Sequence, residues 1–184
     1  LHSLLGIPKN SGSDCEIIIH LYKKFGIEYT LQILDGVFAF ILVDHDTNSF
    51  FVARDTYGIR PLFFGFHEKT IIMSSIIKCI TQFNKYGNIF IKQFTPGTYS
   101  KFVKNEENDW SQKITNKCFS KPMVLKNKNM SFDQAINIIV DSFTNAVKKR
   151  ITNTDRDIAC LLSGGLDSSL VTAIVKQNLP KGVN

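Results

Sequence analysis

Ser163-Gly164-Gly165-Leu166-Asp167-Ser168-Ser169 is the densest run of chemistry-bearing residues in this 184-residue chain. Two adjacent glycines let the backbone turn sharply and bring N–H groups close to an anion. Ser163, Ser168 and Ser169 add hydroxyl donors. Asp157 to Leu162, just before, is short and mostly apolar, as a strand is, and Leu170 to Gln177 reads as a helix. The order strand, glycine loop, helix offers a phosphate the unpaired N–H groups of a helix start and the positive end of its dipole. Asp167 fits only with help, because a carboxylate repels phosphates unless Mg²⁺ bridges the two. G-x-x-x-x-G-K-[ST] is absent, so this is not a Walker loop. The competing reading is a Ser/Gly turn that caps a helix; the full seven-residue string favours phosphate binding.

The other chemistry-bearing residues are more scattered. Cys15, Cys79, Cys118 and Cys160 are widely and irregularly spaced, with no C-x-x-C pair. That pattern suggests neither a zinc site nor a redox motif, and free thiols in a reducing compartment are the simplest reading. Asp14 lies in Ser11-Gly12-Ser13-Asp14-Cys15-Glu16, where Ser13 or Asp14 can cap a helix and Glu16 favours its dipole. Cys15 reads as a small buried hydrophobe.

Elements must position these residues. Ile17, Ile18, Leu21 and Phe25 predict a helix over Ser13 to Gly26, with Gly26 as its stop and a shorter helix over Tyr29 to Ile33. Val37 to Val43 is apolar at both parities, so both faces of that strand should be covered. Turn chemistry at Asp44-His45-Asp46-Thr47-Asn48 leads to an antiparallel return over Ser49 to Arg54. Further strands are expected at Leu62–Phe66, Thr70–Ser74, Ile89–Lys92 and Gly97–Val103, with a short helix near Ile76–Phe83. Lys104 to Asn129, polar and rich in lysine and asparagine, reads as a linker. Ser131-Phe132-Asp133-Gln134 matches a capping box. From it an amphipathic helix runs to about Ile151, with Phe132, Ala135, Ile136, Ile139, Phe143, Ala146 and Val147 at helical spacing.

Composition sets outer limits. Hydrophobic residues make up 43% and charged residues 21%, which excludes disorder. No apolar run nears the ~20 residues of a membrane-spanning helix. The net charge is +6, but the lysines are dispersed without interleaved aromatics, so no nucleic-acid partner is expected. The chain starts at Leu1 rather than Met and stops soon after a strand–loop–helix unit begins. One strand and one helix cannot make a parallel sheet, so a segment of a longer protein is expected.

Leu161-Leu162 followed by SGGLDSS resembles the pyrophosphate-binding loop of the N-type ATP pyrophosphatases, and of the asparagine synthetases in particular. Leu34-Asp35-Gly36-Val37-Phe38-Ala39-Phe40, Ala53-Arg54-Asp55-Thr56-Tyr57-Gly58-Ile59-Arg60-Pro61-Leu62 and the segment Ser11 to Glu16 resemble the class II glutamine amidotransferase domain. The resemblance implies an α+β N-terminal part, an incomplete αββα sandwich of the N-terminal-nucleophile hydrolase type. The first strand–loop–helix of an α/β parallel-sheet ATP pyrophosphatase domain would follow. The division expected is 1–103 for the C-terminal portion of the amidotransferase domain, 104–130 for a linker and 131–184 for the beginning of the ATP-binding domain.

The resemblance further implies a cytoplasmic ligase that uses glutamine, aspartate and ATP with Mg²⁺. Glutamine hydrolysis would supply ammonia through a tunnel to a β-aspartyl-adenylate, giving asparagine, glutamate, AMP and pyrophosphate. No membrane partner is implied, and a homodimer is the candidate assembly. Asp14 matches the aspartate that holds the α-amino group of glutamine. Leu162 matches the residue whose backbone meets adenine. Ser163, Gly164, Gly165, Asp167, Ser168 and Ser169 match the pyrophosphate cradle, and Asp167 the Mg²⁺ ligand. Arg54 and Asp55 read as a charge pair supporting the loop before Leu62.

Two features depart from the family pattern. Its glutaminase nucleophile is an N-terminal cysteine, which this segment lacks, so the segment alone is expected to be inactive. Ile76 stands where the family reads glutamate in S-E-x-K. Related ligases with another acceptor, of the β-lactam synthetase kind, and a non-catalytic degenerate fragment are the alternatives.

Overall fold

The computed structural model describes residues 2–67, 69–107, 109–119, 130–154 and 156–179. The chain divides into two compact units, Leu1–Pro122 and Met123–Asn184.

In the first unit a short helix α1 (His2–Leu5) precedes α2 (Glu16–Ile33). Among the described residues seven strands follow: β1 (Ala39–Asp44), β2 (Ser49–Arg54), β3 (Phe63–His67), β4 (Thr70–Ser74), β5 (Phe90–Gln93), β6 (Thr98–Lys104) and β7 (Trp110–Cys118). Helix α3 (Ile77–Thr81) and a 3₁₀ turn (Gln82–Tyr86) lie between β4 and β5. All the pairings are antiparallel and form two sheets, in the orders β1-β2-β6-β7 and β4-β3-β5.

Strand alternation sends successive side chains to opposite faces, and the core follows that rule. Phe51 and Ala53 of β2 join Leu42 and Tyr99 against Ile27 and Leu31 of α2. Phe50 and Val52 face the other way with Phe102, onto Phe64 of the second sheet and onto Leu62 and Phe94, which flank its strands. The far face of that second sheet carries α3, whose Ile80 packs over Gly65. The layers therefore run α2, first sheet, second sheet, α3. This is the α+β sandwich that the resemblance implies.

Two expectations change and one is met. The strand buried on both faces is β2, not β1: Ile41 and Val43 of β1 are about half exposed because β1 is the sheet's edge. The break expected at Gly26 is present: with φ 79° and ψ 172° it is non-helical and divides α2 into two helical pieces, the second ending at Ile33. The expected linker over 104–130 gives up residues 110–118 to β7, which pairs with β6; residues 120–129 of that stretch lie outside the described residues.

The second unit holds α4 (Phe132–Thr152) and α5 (Leu166–Asn178). The capping box is formed: the Gln134 N–H donates to Ser131 Oγ at 3.2 Å, and the Ser131 N–H to Gln134 Oε1 at 3.1 Å. Val147, Ile174 and Val175 make the buried contact, flanked by Ile151, Ile158 and Val171. Asp157 to Leu162, expected as a strand, is not part of a sheet. A strand exists through its ladder, and no described residue pairs with this stretch.

Candidate functional sites

The Ser/Gly turn shows how α5 begins. Helical geometry starts at Leu166, so Asp167, Ser168 and Ser169 occupy the first turn, earlier than the expected start at Leu170. Gly165 is the N-cap, with φ −77° and ψ 162°, and its carbonyl accepts the Ser169 N–H at 3.1 Å. Gly164 holds φ +83°, a conformation that favours glycine, and a Cβ built there would meet nothing within 4 Å. The space above the turn is open. Ser163 Oγ and Ser168 Oγ lie 2.9 Å apart across it, and Ser168 Oγ also donates to the Gly165 carbonyl at 3.1 Å. These bonds hold the turn's two ends together and leave the first-turn N–H groups facing outward. Leu162 is 62% exposed beside them. The arrangement fits phosphate oxygens. Asp167 is exposed on the first turn, and the described residues hold no cluster of three acidic, His or Cys side chains that could bind a metal unaided. Asp167 could therefore hold a Mg²⁺ only together with ligands from outside these side chains, such as phosphate oxygens and water.

The second candidate is the segment before α2. Asp14 is exposed in a turn and does not cap the helix: the N-cap is Cys15, with no side-chain cap bond. Cys15 is exposed rather than buried. Partial desolvation of its sulfur and the neighbouring Asp14 carboxylate, which accepts from the thiol at 3.5 Å, push its pKa up. A raised thiol is less thiolate at neutral pH and so less ready to act as a nucleophile.

Glu16 does more than favour the helix dipole, and nothing in its spacing indicated so. Its Oε1 accepts from the Asn10 N–H at 2.9 Å and from His20 Nε2 at 3.1 Å. Its Oε2 accepts from the Ser11 N–H at 2.7 Å and the Ser11 hydroxyl at 2.6 Å. The Ser11 hydroxyl, the Asn10 N–H and His20 together hold its pKa down at about 2. Beside this segment a cleft of about 910 Å³ opens between α2 and the β1 edge, lined by Cys15, Ile18, Tyr22, Phe40 and Asp44 among others. Burial and the Asp44 carboxylate, which accepts from the Tyr22 hydroxyl, push Tyr22 up to about 12.

Arg54 and Asp55 are both 2% exposed, but they do not pair, and no ion pair joins them among the described residues. Arg54 donates to three carbonyls: Arg60 at 2.8 Å, Phe94 at 2.7 Å and Gly58 at 2.7 Å. Asp55 takes N–H bonds from Phe38, Tyr57, Ile59 and Arg60. Burial pushes the Asp55 carboxyl up, but the N–H bonds from Arg60, Ile59, Phe38 and Tyr57 outweigh it and leave the carboxyl below its usual range. Adjacent in sequence, the two satisfy opposite halves of one loop's backbone. Ile76, in place of the family glutamate, is the 60%-exposed N-cap of α3.

Comparison with known proteins matches both halves. Residues 3–82 match the glutamine amidotransferase domain family, and residues 139–184 match the asparagine synthase family. The chain thus joins part of an amidotransferase domain to part of a synthase domain. It is 40% identical over 179 residues to the asparagine synthetase [glutamine-hydrolyzing] of Homo sapiens, and to that of Pongo abelii, covering 90% of this chain and 32% of each relative. It is 39% identical over 189 residues to the same enzyme of Gallus gallus, covering 95% of this chain and 33% of that one. Among solved structures, glutamine phosphoribosylpyrophosphate amidotransferase from B. subtilis, complexed with ADP and GMP, is similar at TM-score 0.49 and 18% identity, over 95% of this chain and 40% of that one. The chain is thus similar along most of its length to glutamine-hydrolysing asparagine synthetases, and it spans about a third of the length of the curated relatives it matches.

Proposed function

We propose that these residues serve an ATP-dependent synthesis of asparagine from aspartate, with glutamine as the nitrogen donor. The observation that carries the proposal is the union, in one chain, of an amidotransferase half and an asparagine synthase half that opens on an anion-ready turn. In this reading residues 1–103 belong to the glutaminase domain and residues 131–184 to the ATP-binding domain. Asp14 holds the α-ammonium group of glutamine. Its exposed carboxylate supports that role, because an aspartate used up in capping would be turned inward. Ser163, Gly164, Gly165, Ser168 and Ser169 cradle pyrophosphate oxygens through N–H and hydroxyl donors, and the Leu162 backbone meets adenine. Mg²⁺, when bound with ATP, supplies charge neutralisation, and Asp167 orients it.

A cytoplasmic setting is supported by the exposed thiols of Cys15, Cys79 and Cys160, none of them in a disulfide, and no described helix is long and apolar enough to cross a membrane. A homodimer is the proposed assembly.

The test replaces Asp167 with Ala in the full chain that carries this segment. Aspartate-dependent ATP–pyrophosphate exchange should fall by at least about 10²-fold, as when one group at a charge-developing site is removed. Glutamine hydrolysis should stay within about twofold. Loss of both activities from a folded variant, or of neither, would refute this division of labour.

A further inference from the structure

Asp14 sits on backbone that belongs to no helix or sheet. One carboxylate fixes that backbone. Glu16 takes the N–H groups of Asn10 and Ser11 and the Ser11 hydroxyl. Ser11 Oγ in turn accepts the Ser13 N–H at 3.2 Å, and Ser13 Oγ accepts the Cys15 N–H at 3.2 Å. The relay thus holds the residues on both sides of Asp14. It leaves the Asp14 carboxylate itself out; that group makes a long contact with the Cys15 thiol. Glu16 is anchored from behind by His20, one helical turn along α2. Its side chain is only 12% exposed, so its lone pairs are occupied by protein donors rather than solvent.

We infer that Glu16 is the positioning residue of the glutamine site: its carboxylate latches residues 10–13 to the first turn of α2 and so sets where the Asp14 carboxylate meets the substrate ammonium. This rests on the assignment of Asp14 above. An ammonium–carboxylate bond depends steeply on placement, and an error of about 1 Å in a positioned group can cost on the order of 10²-fold. The four bonds on Glu16 are what restrict that error in an otherwise irregular segment.

The experiment compares Glu16→Ala, Glu16→Gln, Ser11→Ala and Asp14→Ala in the full chain. Glutaminase KM and kcat are measured for each, with asparagine synthesis from added ammonia as the reference activity. Glu16→Ala should raise KM for glutamine about tenfold or more while kcat changes far less, the signature of lost ground-state binding. Glu16→Gln, which keeps an acceptor oxygen, should recover part of that loss. Ser11→Ala, which removes only the relay, should raise KM by a few-fold. If Asp14→Ala raises KM and the Glu16 and Ser11 variants do not, the latch is refuted and Asp14 stands. If Asp14→Ala leaves KM unchanged, the assignment of Asp14 fails and the latch falls with it. If Glu16→Ala is misfolded or loses ammonia-dependent synthesis, Ser11→Ala decides. A raised KM in Ser11→Ala with intact ammonia-dependent synthesis supports the latch, and an unchanged KM overturns it.

Discussion

Arg54 and Asp55 show how much depends on which atoms a charged side chain meets. A buried ion pair gains Coulomb energy against a desolvation penalty of several kcal/mol per ion, and often only breaks even. Here each charge instead meets backbone dipoles: three carbonyls for the guanidinium, four N–H groups for the carboxylate. The partners are loop groups with no ladder to satisfy them, so removing one charge strands several polar atoms together. Arg54→Ala leaves the carbonyls of Gly58, Arg60 and Phe94 without this donor. At about 1–3 kcal/mol per buried unsatisfied group, partly relieved by entering water, the loss of stability should be about 3–5 kcal/mol. Arg54→Lys should recover only part, since an ammonium cannot span three carbonyls set for a planar fork. Urea unfolding of the three proteins checks this; a loss below about 1 kcal/mol for Arg54→Ala would show that the loop keeps its shape without the guanidinium.

At the scale of elements, regular patterns were legible and local exceptions were not. The capping box at Ser131, the hairpin of β1 and β2 and the strand pair β3–β4 follow from alternation, turn residues and cap chemistry, and all are present. Strand β7 was hidden because it is the edge of its sheet. Its sequence carries lysines and asparagine and only Ile114 among the branched apolar residues. Polar edges of that kind discourage edge-to-edge pairing, and they read as linker. The glycine turn at Ser163 was legible as a string, but the early start of α5 was not, because Asp and Ser suit both a loop and a first helical turn. Glu16 as a latch was invisible, since its partners lie five and six residues back, across an irregular segment that periodicity does not describe. Gly26 belongs to this scale too. It ends the first helical piece of α2 and holds φ 79° and ψ 172°, a region essentially restricted to glycine. A Cβ there would touch nothing within 4 Å, so the penalty of a substitution is purely of the backbone. Gly26→Ala should lower stability by about 1–3 kcal/mol, read as a lower urea midpoint at unchanged slope. A neutral result would mean that the two pieces of α2 can straighten into one continuous helix.

At the scale of the molecule, the two units bury very different amounts of apolar surface. In the first, a helix and two sheets enclose two clusters of six buried apolar residues each. In the second, among the described residues, only Val147, Ile174 and Val175 are buried apolar side chains. Its amphipathic α4 reads as a core-facing helix, but Phe132 is 80% and Ile139 65% exposed, and Leu161 and Leu166 beside the glycine turn are 94% and 82% exposed. Apolar patches of that kind mark surfaces built to be covered. A unit of about 60 residues is marginal even with a complete core, and three buried side chains, at about 1.5–3 kcal/mol each, fall far short of the conformational entropy of ordering two helices, about 1–2 kcal/mol per residue. Produced alone, residues 123–184 should therefore unfold without a sigmoidal transition and bind an apolar dye strongly, while residues 1–122 should melt cooperatively. The anion-ready turn would be lost with the helix that frames it, so inorganic pyrophosphate should not protect the isolated second unit from proteolysis, although it should protect that same segment within the full chain. A cooperative melt of residues 123–184 would show that the α4–α5 contact suffices and that the exposed stripe is not needed to hold the turn in shape.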